Sequence, residues 1–295
     1  MSLVATLIAG PSRPVLTAEL ADRAMRSVGA SAVVWLADGI AADLRLAEGC
    51  DPETAAAAIR MALDGAPVDV AVQEAASRRK ALLIADMDST MIDQECIDEL
   101  ADEVGLKDKV AEITARSMNG EIAFEPALRE RVALLAGLDA AVIGRIIDNR
   151  ITLASGGRTL VATMNASGAW TALVSGGFLS FTGPIAARLG FRENRANRLV
   201  EENGRLAGTV AEPILGRAAK AEALAEITAR LGIETDDAIA VGDGANDLDM
   251  LAMAGCGVAL HAKPAVAAQA RIRIDHGDLT ALLYLQGYRR DDFAE

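Results

Sequence analysis

The first 76 residues alternate short apolar runs with amphipathic stretches. Continuous or alternating apolar residues indicate strands, and apolar residues three or four positions apart indicate helices. The order of these segments, β-α-β-β-α-β, is typical of a small ferredoxin-like α+β module. A polar, basic stretch at 74–80 precedes a change of pattern, so the first domain is predicted to cover residues 1–76. In chain order, the segments cover residues 3–8, 18–28, 32–35, 41–46, 52–63 and 68–72.

From residue 81 onward, strand-like and helix-like segments alternate, which predicts an α/β domain with a mostly parallel sheet over residues 77–295. Three continuous apolar runs, at 81–85, 171–174 and 238–241, are typical of strands buried on both faces. Ligands of such sheets bind beyond the carboxyl ends of the strands. The residues that follow the three runs are therefore predicted to converge on one site.

The long segment between the first two of these runs has mainly helical periodicity. It is too long for one crossover helix, so we predict a helical cap at about 92–154, inserted into a Rossmann-like core made of 81–91 and 155–295. Farther along, Asn203-Gly204 separates two short alternating runs, which is the pattern of a β-hairpin with a tight turn.

The negative charge of the chain argues against some classes of binding partner. Of the 295 residues, 42 are acidic and 29 are basic, which gives a formal net charge of −13. Such a charge repels nucleic acid and anionic membrane surfaces, and no apolar run reaches the ~18 residues of a spanning helix. We therefore expect neither a nucleic-acid nor a membrane partner. An anionic substrate would have to be met locally, by a metal ion, a lysine or backbone N–H groups.

The cysteines and the start of the chain bear on the compartment. Cys50, Cys96 and Cys256 are scattered and form no CxxC pair, and the first residues lack a basic leader. Scattered thiols in a long chain are typical of a reducing environment. The sequence therefore predicts a cytoplasmic protein.

The first buried run leads directly into the motif Asp86-Met87-Asp88-Ser89-Thr90. Two carboxylates one residue apart at a strand end can face one pocket, and a divalent cation removes their mutual repulsion. Mg²⁺ suits such a site because it prefers oxygen ligands. One carboxylate can then attack phosphorus while the other serves as general acid and base. Taken alone, the motif is weak evidence for catalysis, and a turn or a helix cap is the simpler interpretation.

The other strand ends offer groups that bind phosphate or metal. Ser175 and Gly176 follow the second run and supply a hydroxyl and an unobstructed backbone N–H. Asp243 follows the third run in a glycine-rich acidic segment that suits a metal shell. A predicted helix start directs Lys220 to the same region, where its charge would neutralise a phosphoryl group. Taken singly, the segment at Ser175 is also compatible with a loop, the segment at Asp243 with a tight turn, and Lys220 with a solvated side chain. Their order along one α/β domain favours a common site.

Over residues 81–285 these segments resemble the haloacid dehalogenase-like phosphohydrolases. The resemblance implies that Asp86 is the nucleophile and Asp88 the general acid and base. It also implies a Mg²⁺ shell formed by Asp86, the backbone carbonyl of Asp88 and Asp243, with Asp247 acting through water. The residues that it implies for phosphate binding are Ser175, Gly176, Lys220 and Asn246.

Two further stretches, residues 91–99 and 118–132, resemble the phosphoserine phosphatases. In that family the residue matching Glu95 meets the substrate ammonium and the residue matching Arg131 meets its carboxylate, which suits the two parallel hydrogen bonds of a guanidinium. The implied reaction is hydrolysis of O-phospho-L-serine to L-serine and inorganic phosphate through an aspartyl-phosphate, the last step of serine biosynthesis. Without the resemblance, a solvated acid and a surface ion pair would be the simpler interpretations of the two residues.

Four other residues complete the expectations for the second domain. Met118 and Phe124 are expected to form an apolar lid that sheds water from the closed site, although both are equally suited to a core. His261 and His276 lack the spacing of metal ligands and are expected to be structural or peripheral.

The amino-terminal domain resembles a single, divergent ACT-like module, a type often used for amino-acid sensing or dimerisation. A homodimer formed through this domain is the milder expectation, and feedback by serine is the bolder one. Two alternatives to the main interpretation stay open. One is a phosphatase or phosphotransferase acting on another small phosphate ester, and the other is a serine-binding regulatory protein with an inactive catalytic half.

Overall fold

The computed structural model describes residues 2–295, and its first part is a small antiparallel sheet with two helices on one face. The strands lie in the order β2-β3-β1-β4, so the predicted order of elements is confirmed. The ACT-like character of this part stays a prediction. Its elements are β1 Leu3–Ala9, α1 Ala18–Ser27, β2 Val33–Ala37, β3 Ala41–Arg45, α2 Pro52–Leu63 and β4 Val68–Glu74.

Both helices of this part begin at residues suited to capping. Thr17 accepts the backbone N–H of Leu20 at 3.2 Å, and Asp51 accepts that of Thr54 at 2.8 Å. Pro52 occupies the first turn of α2, where its missing N–H costs no helical hydrogen bond. Local sequence therefore defines where these helices start.

The rest of the chain forms a parallel sheet with helices around it. Neighbouring strands pair in the order β12-β11-β10-β5-β6-β7, and each of these pairings is parallel. The elements are β5 Leu82–Ala85, α3 Cys96–Asp102, α4 Lys107–Met118, α5 Phe124–Ala133, α6 Val142–Asn149, α7 Gly157–Ala166, β6 Trp170–Phe178, α8 Leu179–Leu189, β7 Glu193–Asn197, β8 Leu199–Glu202, β9 Arg205–Val210, α9 Arg217–Leu231, β10 Ala238–Gly242, α10 Leu248–Met253, β11 Cys256–Leu260, α11 Pro264–Ala267, β12 Ile272–Ile274 and α12 Ala281–Leu285.

The three apolar runs singled out in the sequence are the adjacent strands β10, β5 and β6. Residues along β5 pack alternately into two apolar clusters, Leu83 into one and Leu82 and Ile84 into the other, so the strand is buried on both faces. Because the three strands are parallel neighbours, their carboxyl ends meet at one edge of the sheet. The predicted convergence is confirmed.

A helical cap, α3 to α6, leaves and re-enters the core at two adjacent linkers. Ile92 pairs with Leu153, and the N–H of Ala154 donates to the carbonyl of Met91 at 3.0 Å. The predicted hairpin β8–β9 is also confirmed, and Leu206 exchanges backbone hydrogen bonds of 2.8 Å with the segment after α5. The hairpin therefore lies against the cap, although its sequence belongs to the core segment.

The face of the first sheet that carries no helix is covered by the second domain. Ile8 and Ala71 belong to the same apolar cluster as Tyr284 of α12. The carboxylate of Asp69 accepts backbone N–H groups from residues 275, 276 and 277 at 2.8 to 3.3 Å. The side chain of Gln73 donates to the carbonyl of Leu285 at 2.6 Å. Apolar packing and buried hydrogen bonds thus join the two parts of the chain.

Replacing Arg78 by Leu is expected to lower the free energy of unfolding by about 3 kcal/mol. Arg78 pairs at 2.6 Å with Asp43, whose side chain is 4% exposed, and only the Thr6 hydroxyl would remain as a partner. Urea unfolding measures the loss, with Arg23→Leu on the exposed side of α1 as control. The double variant Arg78→Leu/Asp43→Leu should regain most of the stability. A loss below about 1 kcal/mol in the single variant would contradict the expectation.

No helix formed within residues 2–295 has the length and apolar character needed to cross a membrane.

Candidate active site

Three carboxylates meet where β5 and β10 end. Asp86 follows β5, Asp243 follows β10, and Asp247 lies one turn farther along; their exposed fractions are 4%, 2% and 0%. One oxygen of each lies within 4.8 Å of the others. The close approach of Asp247 depends on Gly242, since a Cβ there would lie 2.3 Å from the Asp247 carboxyl carbon. Three residues predicted as metal ligands thus form one buried cluster.

Lys220 enters the same cluster from the first turns of α9. Its side chain is fully buried, and its Nζ lies 2.7 Å from Asp86 Oδ1 and 2.6 Å from Asp247 Oδ1. Burial by itself would lower the pKa of Lys220, but the carboxylates of Asp247 and Asp86 raise it above its ordinary value. The lysine is therefore a fixed cation beside both aspartates, and it is not the solvated side chain that the sequence left open.

The cluster carries more negative than positive charge. Lys220 and the half-exposed Lys263, whose Nζ is 3.3 Å from Asp243 Oδ2, are the cations paired with it among residues 2–295. Burial and the charge of Asp247 raise the pKa of Asp243 to about 7 and that of Asp86 well above its usual range. A divalent cation would relieve this repulsion and finds converging oxygen donors here. The acidic cluster therefore fits a metal ion.

The metal-free protein is expected to lose stability as the pH rises from about 5.5 to about 8. Unfolded, Asp243 titrates near its ordinary 3.8, and folded, its pKa is about 7. Between these two values the folded state binds one proton more than the unfolded state, so stability falls as the pH rises, and the fall ends once the folded group has also ionised. Each pH unit with one extra proton bound corresponds to about 1.4 kcal/mol. Urea unfolding in EDTA measures the slope, which Asp243→Asn should reduce. A stability that rises with pH would contradict the expectation.

Asp88 and the end of β6 form the neighbouring wall of the site. One oxygen of Asp88 accepts the N–H of Cys96 at 2.8 Å, and the other accepts the hydroxyl of Ser175 at 3.2 Å. The Ser175 oxygen in turn accepts the N–H of Gly177 at 2.8 Å. Burial raises the pKa of Asp88 although these hydrogen bonds oppose the shift. Burial therefore shifts this carboxyl group toward its protonated form.

The cap closes a cavity over these groups. Phe124 lies against Gly176, where a Cβ would come within 2.7 Å of the aromatic ring. Asn246 is 7% exposed, and it lines the cavity together with Met118. The predicted residues that line this one cavity are Asp86, Asp88, Glu95, Met118, Phe124, Arg131, Ser175, Gly176 and Asn246.

Glu95 and Arg131 bring opposite charges to the cap side of the cavity. Glu95 Oε1 accepts the hydroxyl of Ser89 at 2.7 Å, and burial, then the charges of Asp88 and Asp243, raise the pKa of Glu95 well above its ordinary value. Arg131 is 3% exposed. Arg131 is therefore not a surface residue, whereas Glu95 is partly buried at the start of α3 and lines the cavity. A ligand with both a cationic and an anionic group would satisfy the pair.

Four contacting residues were missed by the sequence analysis. Thr90 donates to Asp243 Oδ1 at 3.3 Å and Lys263 pairs with the same carboxylate. Thr90 belongs to the first motif, and Lys263 follows the strand β11, so strand ends were a usable signal for both. Thr114 and Asp98 contact Arg131 or each other from separate helices. No sequence pattern joins those two.

Neither histidine is a member of the acidic cluster. The backbone N–H of His261 donates to Ile274, and that of His276 donates to Asp69 of the first domain. Both contacts are made by the backbone, so the role of the two side chains stays a prediction.

More than half of the chain matches a known protein family. Residues 83–252 match the family model of haloacid dehalogenase-like hydrolases. This segment contains all the catalytic, substrate and metal residues predicted from the sequence.

Curated relatives include the phosphoserine phosphatase of Streptomyces coelicolor, 43% identical over 227 residues, which are 76% of this chain and 55% of that relative. The phosphoserine phosphatase of Albidiferax ferrireducens is 46% identical over 209 residues, 69% of this chain and 88% of the relative. The chain thus spans about half the length of the first relative, 55%, and most of the second, 88%. A solved structure described as a phospho-aspartyl intermediate analogue of phosphoserine phosphatase matches with a TM-score of 0.67 and 39% identity, covering 70% of this chain and 98% of that one.

Proposed function

The chain belongs to the haloacid dehalogenase-like hydrolases and, within them, to the phosphoserine phosphatases, and we propose that it hydrolyses O-phospho-L-serine to L-serine and inorganic phosphate. One observation carries the substrate: Arg131 and Glu95 line the same cavity as Asp86 and Asp88. A phosphorylated amino acid has a carboxylate for the arginine, an ammonium for the glutamate and a phosphate for the strand ends. A sugar phosphate lacks both of the first two groups.

We propose Mg²⁺ as the cofactor. Asp86, Asp243 and the backbone carbonyl of Asp88 would hold it, with Asp247 acting through a water molecule. When bound, the ion would neutralise charge on the phosphate oxygens. The excess of buried carboxylates over cations supports this proposal.

The first half of the reaction is transfer of the phosphoryl group to Asp86. Its carboxylate oxygen forms a bond to phosphorus as the bond between phosphorus and the serine oxygen breaks. Asp88, whose pKa is raised by burial, donates its proton to the departing oxygen. Lys220, 2.7 Å from Asp86, offsets charge that accumulates on the transferred group. The other proposed phosphate ligands are Ser175, the N–H of Gly176 and Asn246.

The second half releases phosphate from the aspartyl-phosphate. Asp88, now deprotonated, accepts a proton from a water molecule whose oxygen bonds to phosphorus. The bond between phosphorus and the Asp86 oxygen breaks, which restores both carboxyl groups. Met118 and Phe124 close the cavity and limit other water molecules. One carboxyl group thus serves as acid and then as base.

We propose that the first domain is an ACT-like module through which a homodimer forms. Its sheet has α1 and α2 on one face and the second domain on the other, and its edge strand β4 contacts β12, so the other edge strand, β2, is left for a second copy. Val33, Val34 and Trp35 of that strand are only partly buried, which supports the proposal. The free thiols of Cys50, Cys96 and Cys256 support a reducing compartment, the cytoplasm.

Phosphate release from O-phospho-L-serine by the purified full chain tests the function. Mg²⁺, EDTA, sugar phosphates and an alcohol acceptor form the panel. Preferred, metal-dependent release from phosphoserine is expected. Activity confined to other esters, or transfer to the alcohol, would retain the mechanism and reject the substrate. Serine binding without any turnover would favour the regulatory alternative.

A further inference from the structure

We propose that Thr114 is a positioning residue for Arg131: its hydroxyl, interposed between Arg131 and Asp98, keeps the guanidinium available for the substrate carboxylate. This inference rests on the proposed function. It assigns a role to a residue that the mechanism does not otherwise use.

The contacts form a short chain across three cap helices. Arg131 of α5 donates from Nη1 to Thr114 Oγ1 of α4 at 2.9 Å, and the hydroxyl donates to Asp98 Oδ1 of α3 at 2.8 Å. The same hydroxyl also lies 3.0 Å from the carbonyl of Val110. Thr114 and Arg131 are each 3% exposed. Water therefore has little access to replace a lost partner.

These contacts use only part of the guanidinium. Nε donates to the carbonyl of Ala127 at 3.1 Å and Nη1 donates to Thr114, while a guanidinium has five N–H donors. Three donors remain, and Arg131 lines the cavity. Because the two contacts leave both N–H groups of Nη2 and one of Nη1, the guanidinium retains donors for a carboxylate that accepts two parallel hydrogen bonds.

The hydroxyl also separates two charges that would otherwise pair. Among residues 2–295 no ion pair joins Arg131 to Asp98, because Thr114 accepts from one and donates to the other. A direct pair would occupy the donors needed by the substrate and neutralise the cation. Through the hydroxyl, Asp98 still orients the arginine. The Arg131–Thr114–Asp98 hydrogen bonds, here called the relay, therefore orient Arg131 without occupying the donors that bind the substrate carboxylate.

Thr114→Val keeps the shape of the side chain and removes the hydroxyl. We expect the KM for O-phospho-L-serine to rise about tenfold, with kcat changed less than about threefold, since a buried donor loses its acceptor and Arg131 gains freedom to turn toward Asp98. O-phosphoethanolamine is phosphoserine without the carboxylate, so its kcat/KM should stay within about twofold. Thr114→Ser should restore the wild-type KM.

Controls separate positioning from folding. Thr228→Val is the matched change, because Thr228 is a buried helical threonine whose hydroxyl contacts backbone carbonyls of α9. Asp98→Asn keeps Thr114 and should raise the KM for phosphoserine about threefold through a weaker relay. Thermal unfolding verifies that each variant is folded. If Thr114→Val fails to fold, the KM values of Asp98→Asn and Thr114→Ser for phosphoserine test the positioning role.

The outcomes distinguish this inference from the proposed function. A wild-type enzyme that does not prefer phosphoserine to phosphoethanolamine overturns both. A wild type with that preference, combined with a Thr114→Val variant whose KM is unchanged or rises equally for both esters, overturns the positioning role alone. If Asp98→Asn leaves the KM for phosphoserine unchanged, Thr114 alone positions Arg131, and the role assigned to Asp98 is overturned.

Discussion

Replacing Asp86 by Asn is expected to lower phosphate release from phosphoserine by a factor on the order of 10⁴ or more. An amide does not attack phosphorus, so no aspartyl-phosphate forms and the remaining groups only bind the substrate. The strand that leads to Asp86, β5, consists of Leu82–Ala85 and carries no other carboxylate, so no side chain of that strand can replace Asp86. Steady-state and single-turnover assays with Mg²⁺ measure the loss.

Urea unfolding shows whether Asp86→Asn loses activity because the nucleophile is missing or because the protein is unfolded. Asp86→Asn removes one of three like charges that are buried within 4.8 Å of one another. In EDTA the variant should therefore unfold at the same or a higher urea concentration than the wild type. Asp108→Asn, an exposed change on α4, should leave both activity and stability unaltered. Turnover of Asp86→Asn within about tenfold of the wild type would contradict the assignment of the nucleophile.

Replacing Lys220 by Met is expected to lower the free energy of unfolding of the metal-free protein by about 3–5 kcal/mol near pH 8. The buried carboxylates of Asp86 and Asp247 would lose the cation that lies 2.6 to 2.7 Å from each of them. The loss should shrink near pH 5.5, because Asp86 and Asp243, whose pKa values are raised in the folded state, then bind protons and reduce the negative charge of the cluster. Urea unfolding in EDTA at both pH values measures it.

Activity should fall along with stability in Lys220→Met. We expect a decrease in kcat on the order of 10²–10³ with saturating Mg²⁺, because a preorganised positive charge beside the nucleophile is lost. Lys263→Met is the matched control: Lys263 also pairs with the cluster, but its side chain is 35% exposed, so both losses should be much smaller. Equal effects of the two substitutions would contradict the distinct role assigned to the buried lysine.

The architecture of the core was accessible because its signals are local. A strand buried on both faces must be continuously apolar, and 81–85, 171–174 and 238–241 satisfy this without reference to the rest of the chain. The parallel arrangement then requires their carboxyl ends to share one edge. The convergence of Asp86, Ser175 and Asp243 follows from these two facts.

Other features depend on packing between distant segments. The hairpin was predicted from Asn203-Gly204, but its position against the cap depends on contacts with the residues after α5. The covered face of the first sheet likewise depends on Asp69 and on α12, more than 200 residues apart in the chain. Alternation along a strand shows which residues share a face, and it does not show which element covers that face.

By itself, the sequence determined the two kinds of sheet, the strand ends that carry acidic and phosphate-binding groups, and the chemical type of each. Only the tertiary structure decided that Lys220 is fully buried between two carboxylates, that Arg131 faces a cavity, and that Thr114 stands between Arg131 and Asp98. The physical reason is range. Periodicity and turn chemistry act over a few residues, whereas burial, pKa and ion pairing depend on groups that the fold brings together from separate elements.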